Sequence, residues 1–229
     1  MSDIEREALL LSLQVASAAV LLALPAALAL AWALARARFA GKALLEVIVN
    51  LPLVLPPVVI GYALLVTFGR QGPLGRWLHD SLGIQFVFTF RGAVLAAAVM
   101  ALPLMVRAIR QALEAVDAGL EAAARTLGAS RARVFASITL PLMAPGLLSG
   151  AVLGFAASLG EFGATITFVS NVPGQTQTLP LAIYSALQQP GGDTAAARLV
   201  LWSMLLALAA LGLAQWCHRH VQRWLGQIA

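Results

Sequence analysis

The amino-acid sequence predicts an all-α bundle of membrane-spanning helices, and three observations carry that prediction. Sixty per cent of the 229 residues are hydrophobic and eleven per cent are charged, where a soluble domain has about 25% charged residues. Residues 8–35, 47–69, 134–160 and 199–217 contain no charged side chain, and each meets the ~18 residues needed to cross a hydrocarbon core as a helix. The basic residues gather on alternate connections between these stretches, as the flanks of membrane spans do.

The opening Ser2-Asp3-Ile4-Glu5-Arg6-Glu7 run is net acidic and precedes 28 uncharged residues. A secretory signal has a basic start and a shorter apolar stretch, so residues 8–35 are read as a retained first span. Gly41 turns the chain into a second span over 45–69. There Pro52, Pro56 and Pro57 remove three backbone donors in six residues, which predicts a kinked helix whose carbonyls find partners on neighbouring helices. Two readings fit the kink, one wall of a pathway or a packing bend. Residues 70–90 are expected outside the membrane, with a short interfacial helix around Trp77. Residues 92–106 are uncharged and lie between Arg91 and Arg107, whose long side chains reach the two interfaces, giving a third span over 91–110.

A basic connection follows over 111–140. A helix over Leu113–Leu127 is expected to end at Gly128 in the left-handed conformation, Ser130 to cap the next helix, and Pro141 to sit in the first turn of a fourth span over 141–160. Residues 162–192 carry no charge, yet Ser170, Asn171, Pro173, Gly174, Gln175, Thr176, Gln177 and Thr178 divide them. A lipid-facing backbone there would leave hydrogen bonds unmade. The segment is read as external or re-entrant with a short helix near Pro180–Leu187; crossing would make it a short sixth span. The last span is placed at 197–217, and residues 1–229 form one domain.

With five spans drawn, ten basic residues (Arg36, Arg38, Lys42, Arg107, Arg110, Arg125, Arg131, Arg133, Arg219, Arg223) lie on one side and five (Arg6, Arg70, Arg76, Arg91, Arg198) on the other. The positive-inside rule makes the first side cytoplasmic, with the amino terminus outside and the carboxyl terminus inside. The positive balance therefore belongs to membrane flanks, and nothing resembles a nucleic-acid-binding arm.

The chemistry available to the chain is limited. A phosphate-binding loop needs Gly-x-x-x-x-Gly-Lys-Ser/Thr. The one lysine, Lys42, follows Gly41 but has Arg36 at the first glycine position and Ala43 at the hydroxyl position, so ATP would have to be bound by another chain. Cys217 is the single cysteine. His79 sits in the external connection while His218 and His220 lie past the last span, so they do not converge on one another, and no metal site and no catalytic set is expected. Glu161 is the charge placed deepest at a membrane boundary, which makes it either a gate element or a carboxylate capping backbone donors. The run Thr165–Thr178 either offers neutral donors to a solute or a partner, or is a polar external loop.

Ala123, Ala124, Gly128, Ile138, Leu140 and Pro141 have a spacing that resembles the Glu-Ala-Ala-x3-Gly-x9-Ile-x-Leu-Pro signature of the ABC importer permeases. Ala122 stands where that signature has glutamate, and Glu121 lies one place earlier. The runs 51–59, 91–100 and 158–171 resemble the oxyanion permeases of this family, those for molybdate most of all, with sulfate and tungstate permeases sharing much of the pattern.

The resemblance implies a type I importer bundle in the cell inner membrane, a homodimer, two ABC ATPase subunits that hold ATP and magnesium, and a periplasmic molybdate-binding protein. No cofactor is expected on this chain, which would be a transport subunit rather than an enzyme. The resemblance assigns ATPase coupling to Glu121, Ala122, Ala123, Ala124, Gly128, Ala129, Arg131, Ile138, Leu140 and Pro141. Candidate translocation or gate residues are Pro56, Pro57, Ser158, Gly160, Glu161, Phe162, Gly163, Thr165 and Asn171. An ion-coupled carrier or channel, the rival class, would place ionisable residues within spans, where this sequence has almost none.

Overall fold

A computed structural model describes residues 2–224, with side chains other than those of residues 214 and 217–224. Cys217, His218 and His220 therefore fall outside the described side chains. In chain order the elements are α1 (Asp3–Arg36), α2 (Lys42–Val54), α3 (Pro57–Phe68), α4 (Pro73–Leu82), α5 (Phe90–Ala115), α6 (Ala118–Thr126), α7 (Arg131–Val134), a π-helical turn (Phe135–Thr139), α8 (Leu140–Leu159), α9 (Gly163–Val169), α10 (Leu179–Leu187) and α11 (Asp193–Trp224). Among the described residues, α1, α5, the continuous run Arg131–Leu159 and α11 are long and apolar enough to cross a membrane, and α2 with α3 makes a fifth, bent span.

Each boundary has a local cause. Ser2 and Glu5 form a reciprocal capping box that starts α1, satisfying two donors the first turn leaves unpaired. Thr89 caps α5 by accepting from the Gly92 amide at 3.3 Å. Trp77 lies on α4, a ten-residue helix begun by Pro73 and ended by left-handed Gly83, as expected of that connection.

The core forms around α5, held between α1 and α8. Ala16, Ala19, Ala23, Ala27 and Ala31 of α1 are buried, as are Ala93, Ala96, Ala97 and Ala101 of α5. In lipid, helices associate through close packing rather than hydrophobicity, so small residues at helical spacing set the contact. On α8 the equivalent stripe is Gly146, Gly150 and Gly154. A methyl group added at Gly146 would lie 2.1 Å from the Ala112 side chain, and one at Gly154 would lie 2.6 Å from the Met105 sulfur.

Three expectations need correction. The second span is not a kinked helix but two helices meeting at 114°. Leu55 is extended, and Pro56 and Pro57 open α3 as its cap and first residue, so the missing donors start a new helix instead of bending an old one. The helix expected over Leu113–Leu127 is broken. Its first part ends α5 at Ala115, Val116 is extended, and Asp117 caps the separate α6 by accepting from the Gly119 amide at 2.7 Å. Pro141 lies in the first turn of α8 as expected, but the span does not start there, because α7, the π turn and α8 run on without interruption from Arg131. The π turn just before Pro141 widens the ladder where that residue cannot donate.

Residues 162–192 fold back into the bundle rather than forming a polar external loop. Helix α9 packs on α3 and α5. Thr165, Thr176, Gln177 and Thr178 are all buried. The Thr176 hydroxyl accepts from the Val172 amide at 2.9 Å and faces the Ser170 carbonyl at 3.1 Å. Such self-satisfied irregular backbone is tolerated at membrane depth only inside protein. The start of α10 is tied to α1, the Leu179 amide donating to Ser12 Oγ at 2.7 Å. The short helix expected at 180–187 is α10.

Candidate coupling segment and gate cluster

Helix α6 stands off the bundle, and none of its nine residues is buried. Its C-terminus closes as the glycine predicts. Gly128 adopts φ +85°, and a methyl group added there would meet nothing within 4 Å, while the amides of Gly128 and Ala129 donate to the Arg125 and Ala124 carbonyls at 3.0 and 3.1 Å. A left-handed glycine with crossed end bonds satisfies carbonyls that a helix terminus otherwise leaves open. Ser130 then caps α7, accepting from the Arg133 amide at 3.3 Å.

One carboxylate anchors this segment to the bundle. Glu121 Oε1 accepts from Arg36 at the end of α1 at 3.1 Å and from the Thr139 hydroxyl at 2.7 Å. Arg36 also donates to the Leu113 carbonyl at 3.2 Å, near the end of α5. The Glu121 and Arg36 side chains are 15% and 26% exposed, so this ion pair is shielded from solvent. It ties α1, α5, α6 and the π turn at one point. Glu121, one place before the signature position, thus makes an ion pair within the bundle, while the side chain of Ala122 at that position is exposed.

The structure divides the ten residues to which the resemblance assigns coupling. Ala122, Ala123, Gly128 and Arg131 are exposed around α6 and its turn, with Ala124 and Ala129 half-buried beside them. Ile138, Leu140 and Pro141 lie half-buried on the π turn and α8. Sequence reasoning missed Leu127, Arg36 and Thr139. Leu127 is 88% exposed at the tip of the turn, the most exposed large apolar side chain among the described residues. Its signal was an apolar residue directly before the left-handed glycine. Thr139 occupies the variable place between Ile138 and Leu140, and Arg36 is remote in sequence.

A second pair of α5 arginines ties down α2. Arg110 meets Glu46 at 2.8 Å and Glu114 at 2.7 Å, and Arg107 donates to Asn50 Oδ1 at 2.9 Å. These contacts hold the first half of the bent span against α5 just before its break.

Of the candidate gate residues, Pro57 and Gly163 meet at the elbow. A methyl group at Gly163 would lie 2.8 Å from Pro57 Cβ, and one at Gly61 would lie 2.6 Å from the Ala164 carbonyl oxygen, so α3 and α9 touch backbone to backbone. Glu161 Oε1 accepts from the Ala164 amide at 2.7 Å; of its two readings, the capping role at the start of α9 is the one the contacts provide. Phe162 packs on Tyr184 of α10 with ring centroids 5.3 Å apart. Asn171 donates to Ser185 Oγ and accepts from Gln177 Nε2 at 3.0 Å. Thr165 is buried, Ser158 is buried with its hydroxyl unpartnered, and Gly160 and Pro56 are exposed. Asn171 therefore braces α10, rather than standing free in an external loop.

A broken apolar span among long apolar helices, a protruding α-helix on a basic connection and a short helix pair folded back onto the bundle are the architecture of a multi-pass membrane protein. Residues 21–223 match the family model described as binding-protein-dependent transport system inner membrane component, and the chain belongs to that family. It is 60% identical over 219 residues to the molybdenum transport system permease protein ModB of Escherichia coli K12, covering 96% of each chain. Against the ModB of Haemophilus influenzae it is 56% identical over 223 residues, covering 97% of each. The sulfate transport system permease protein CysT of E. coli is 37% identical over 182 residues, 78% of this chain and 65% of that one. A bacterial alginate ABC transporter, solved with an alginate pentasaccharide-bound periplasmic protein, superposes with a TM-score of 0.77 at 18% identity, covering 98% of this chain and 80% of that one. That last likeness establishes the fold alone.

Proposed function

We propose that this chain is the membrane-spanning permease of an ATP-driven importer that carries molybdate across the inner membrane. The observation that carries the cargo assignment is 60% identity to a molybdenum permease over nearly the full length of both chains, against 37% to a sulfate permease over a shorter stretch. Two copies would form the pathway, with two ABC ATPase subunits holding ATP and magnesium on the cytoplasmic side and a molybdate-binding protein on the periplasmic side. The amino terminus would be periplasmic and the carboxyl terminus cytoplasmic, as the arginine distribution supports.

In this reading α6 is the element an ATPase grips. The exposed Ala122 and Ala123 support that role, since small side chains admit a partner's backbone closely, and Leu127 stands exposed beside them. The Glu121–Arg36–Thr139 junction then passes displacement of α6 to α1, α5 and α8 together. ATP would bias a two-state gate through its preference for the closed motor. The test is radiolabelled molybdate uptake at low external concentration by cells with and without this gene, repeated in excess unlabelled sulfate. Gene-dependent uptake that survives the sulfate supports the proposal; strong competition moves the cargo to sulfate, and absence of gene dependence overturns the molybdate reading.

A further inference from the structure

A cleft of about 930 Å³ opens between the second half of α1 and the α6–α7 segment, at the upper end of the ~300–1,000 Å³ typical of small-ligand sites. Its lining is divided by chemistry. Pro25, Leu28, Ala29 and Trp32 of α1, with Val134 and Phe135, form an apolar wall, and Arg36, Arg125 and Arg131 supply the basic part of the lining, with Arg36 at the end of α1 and Arg125 next to it through Glu121. Trp32 and Phe135 meet edge to face at 5.3 Å within that wall. We propose that this cleft binds one anionic phospholipid of the cytoplasmic leaflet, with an acyl chain along α1 and the phosphate between Arg125 and Arg131.

Two features select this occupant. The rise from Pro25 to Arg36 is about 16 Å at 1.5 Å per residue, which matches half of a hydrocarbon core of ~30 Å. The apolar wall is therefore one leaflet deep, and Arg36 falls at headgroup level, with Arg125 beside it through Glu121. The charge is also complementary. Glu121 offsets Arg36, but among the described residues neither Arg125 nor Arg131 meets a carboxylate; Arg125 has only the Glu121 carbonyl at 3.2 Å. Two uncompensated guanidiniums beside a membrane favour an anionic headgroup, while a nucleotide or free phosphate would leave the apolar wall uncovered.

The proposal rests on the topology above, which puts the α6–α7 segment in the cytoplasm. The test uses the transporter purified with its ATPase and reconstituted in phosphatidylcholine nanodiscs. These carry a few per cent of photoactivatable phosphatidylglycerol or, in parallel, photoactivatable phosphatidylcholine; crosslinked peptides are mapped by mass spectrometry. Phosphatidylglycerol should label residues 25–37 and 131–139 in preference to phosphatidylcholine. Arg125→Gln and Arg131→Gln should each lower that labelling about fivefold, equivalent to on the order of 1 kcal/mol per basic residue at an anionic surface. Equal labelling by the two lipids, indifference to the arginine variants, or labelling seen only when the ATPase is stripped away would overturn the proposal. Topology is checked separately with a membrane-impermeant maleimide on Leu127→Cys in a Cys217→Ser background. Labelling from the periplasmic face alone would refute the topology, and with it the leaflet, whatever the lipid selectivity.

Discussion

Replacing Glu121 by alanine should loosen α6 from the bundle by about 2 kcal/mol. The carboxylate accepts from a guanidinium at 3.1 Å and a hydroxyl at 2.7 Å, and hydrogen bonds to charged groups contribute roughly 1.5–3 kcal/mol. Shielding is substantial, with 15% and 26% exposure for the two ionic partners, so the pair is closer to a buried ion pair than to a surface one. Removing one partner of a buried pair is costly chiefly because the other is stranded. Arg36 would keep only the Leu113 carbonyl, and its Nε is already buried without a partner. Solvent can reach part of the guanidinium, which holds the expected figure below the full buried-pair cost of ~3–5 kcal/mol. About 2 kcal/mol is roughly a thirtyfold rise in the open population. Hydrogen exchange of the 118–127 amides, read in the assembled transporter, measures that population directly. Exchange in this segment that matches the unsubstituted protein would refute the anchoring role of Glu121.

Four further outcomes follow from the same geometry. The double change Glu121→Ala with Ala122→Glu should not restore protection, because Ala122 is exposed and one residue, about 100°, around the helix; recovery to the original exchange rates would show that the register of the carboxylate does not matter. Gly128→Asp should leave the chain inserted but lower ATPase co-purification, since the left-handed turn tolerates aspartate while a charge would stand at the docking surface; undiminished co-purification with normal transport would count against that surface. Gly61→Ala should destabilise the protein by roughly 1–3 kcal/mol through overpacking, because the methyl would meet the Ala164 carbonyl at 2.6 Å, and an unchanged melting temperature would contradict the α3–α9 contact. Glu161→Gln should leave transport and ATPase stimulation close to normal, since glutamine still accepts from the Ala164 amide, whereas Glu161→Ala should cost about 1 kcal/mol of α9 stability; a severe defect in the glutamine variant would instead assign its charge to the gate.

The spans were legible because lipid imposes a simple rule on composition and length, and the turn at Gly128 was legible because a left-handed residue is a local demand. What sequence could not supply was tertiary. Pro56 and Pro57 mark a break, but the 114° angle depends on α9 fitting against Gly61 some hundred residues away in the chain. The polarity of residues 170–178 suggests solvent until Thr176 is seen closing the loop on its own backbone. The interruption at Val116–Asp117 carries an ordinary Asp cap signal, yet Ala, Leu and Glu on both sides continue a plausible helix. Glu121 looked like a misplaced signature residue; only the proximity of Arg36 and Thr139 shows why a carboxylate is useful there.

The coupling of molybdate import to a separate motor is tested most directly in proteoliposomes that contain this chain, its partner ATPase and the binding protein, with labelled molybdate on the binding-protein side. Accumulation should require ATP and all three components, and should be lost when the permease carries Glu121→Ala or Gly128→Asp. Accumulation that persists without the ATPase, or that follows an imposed ion gradient instead of ATP, would contradict the importer assignment and favour an ion-coupled carrier.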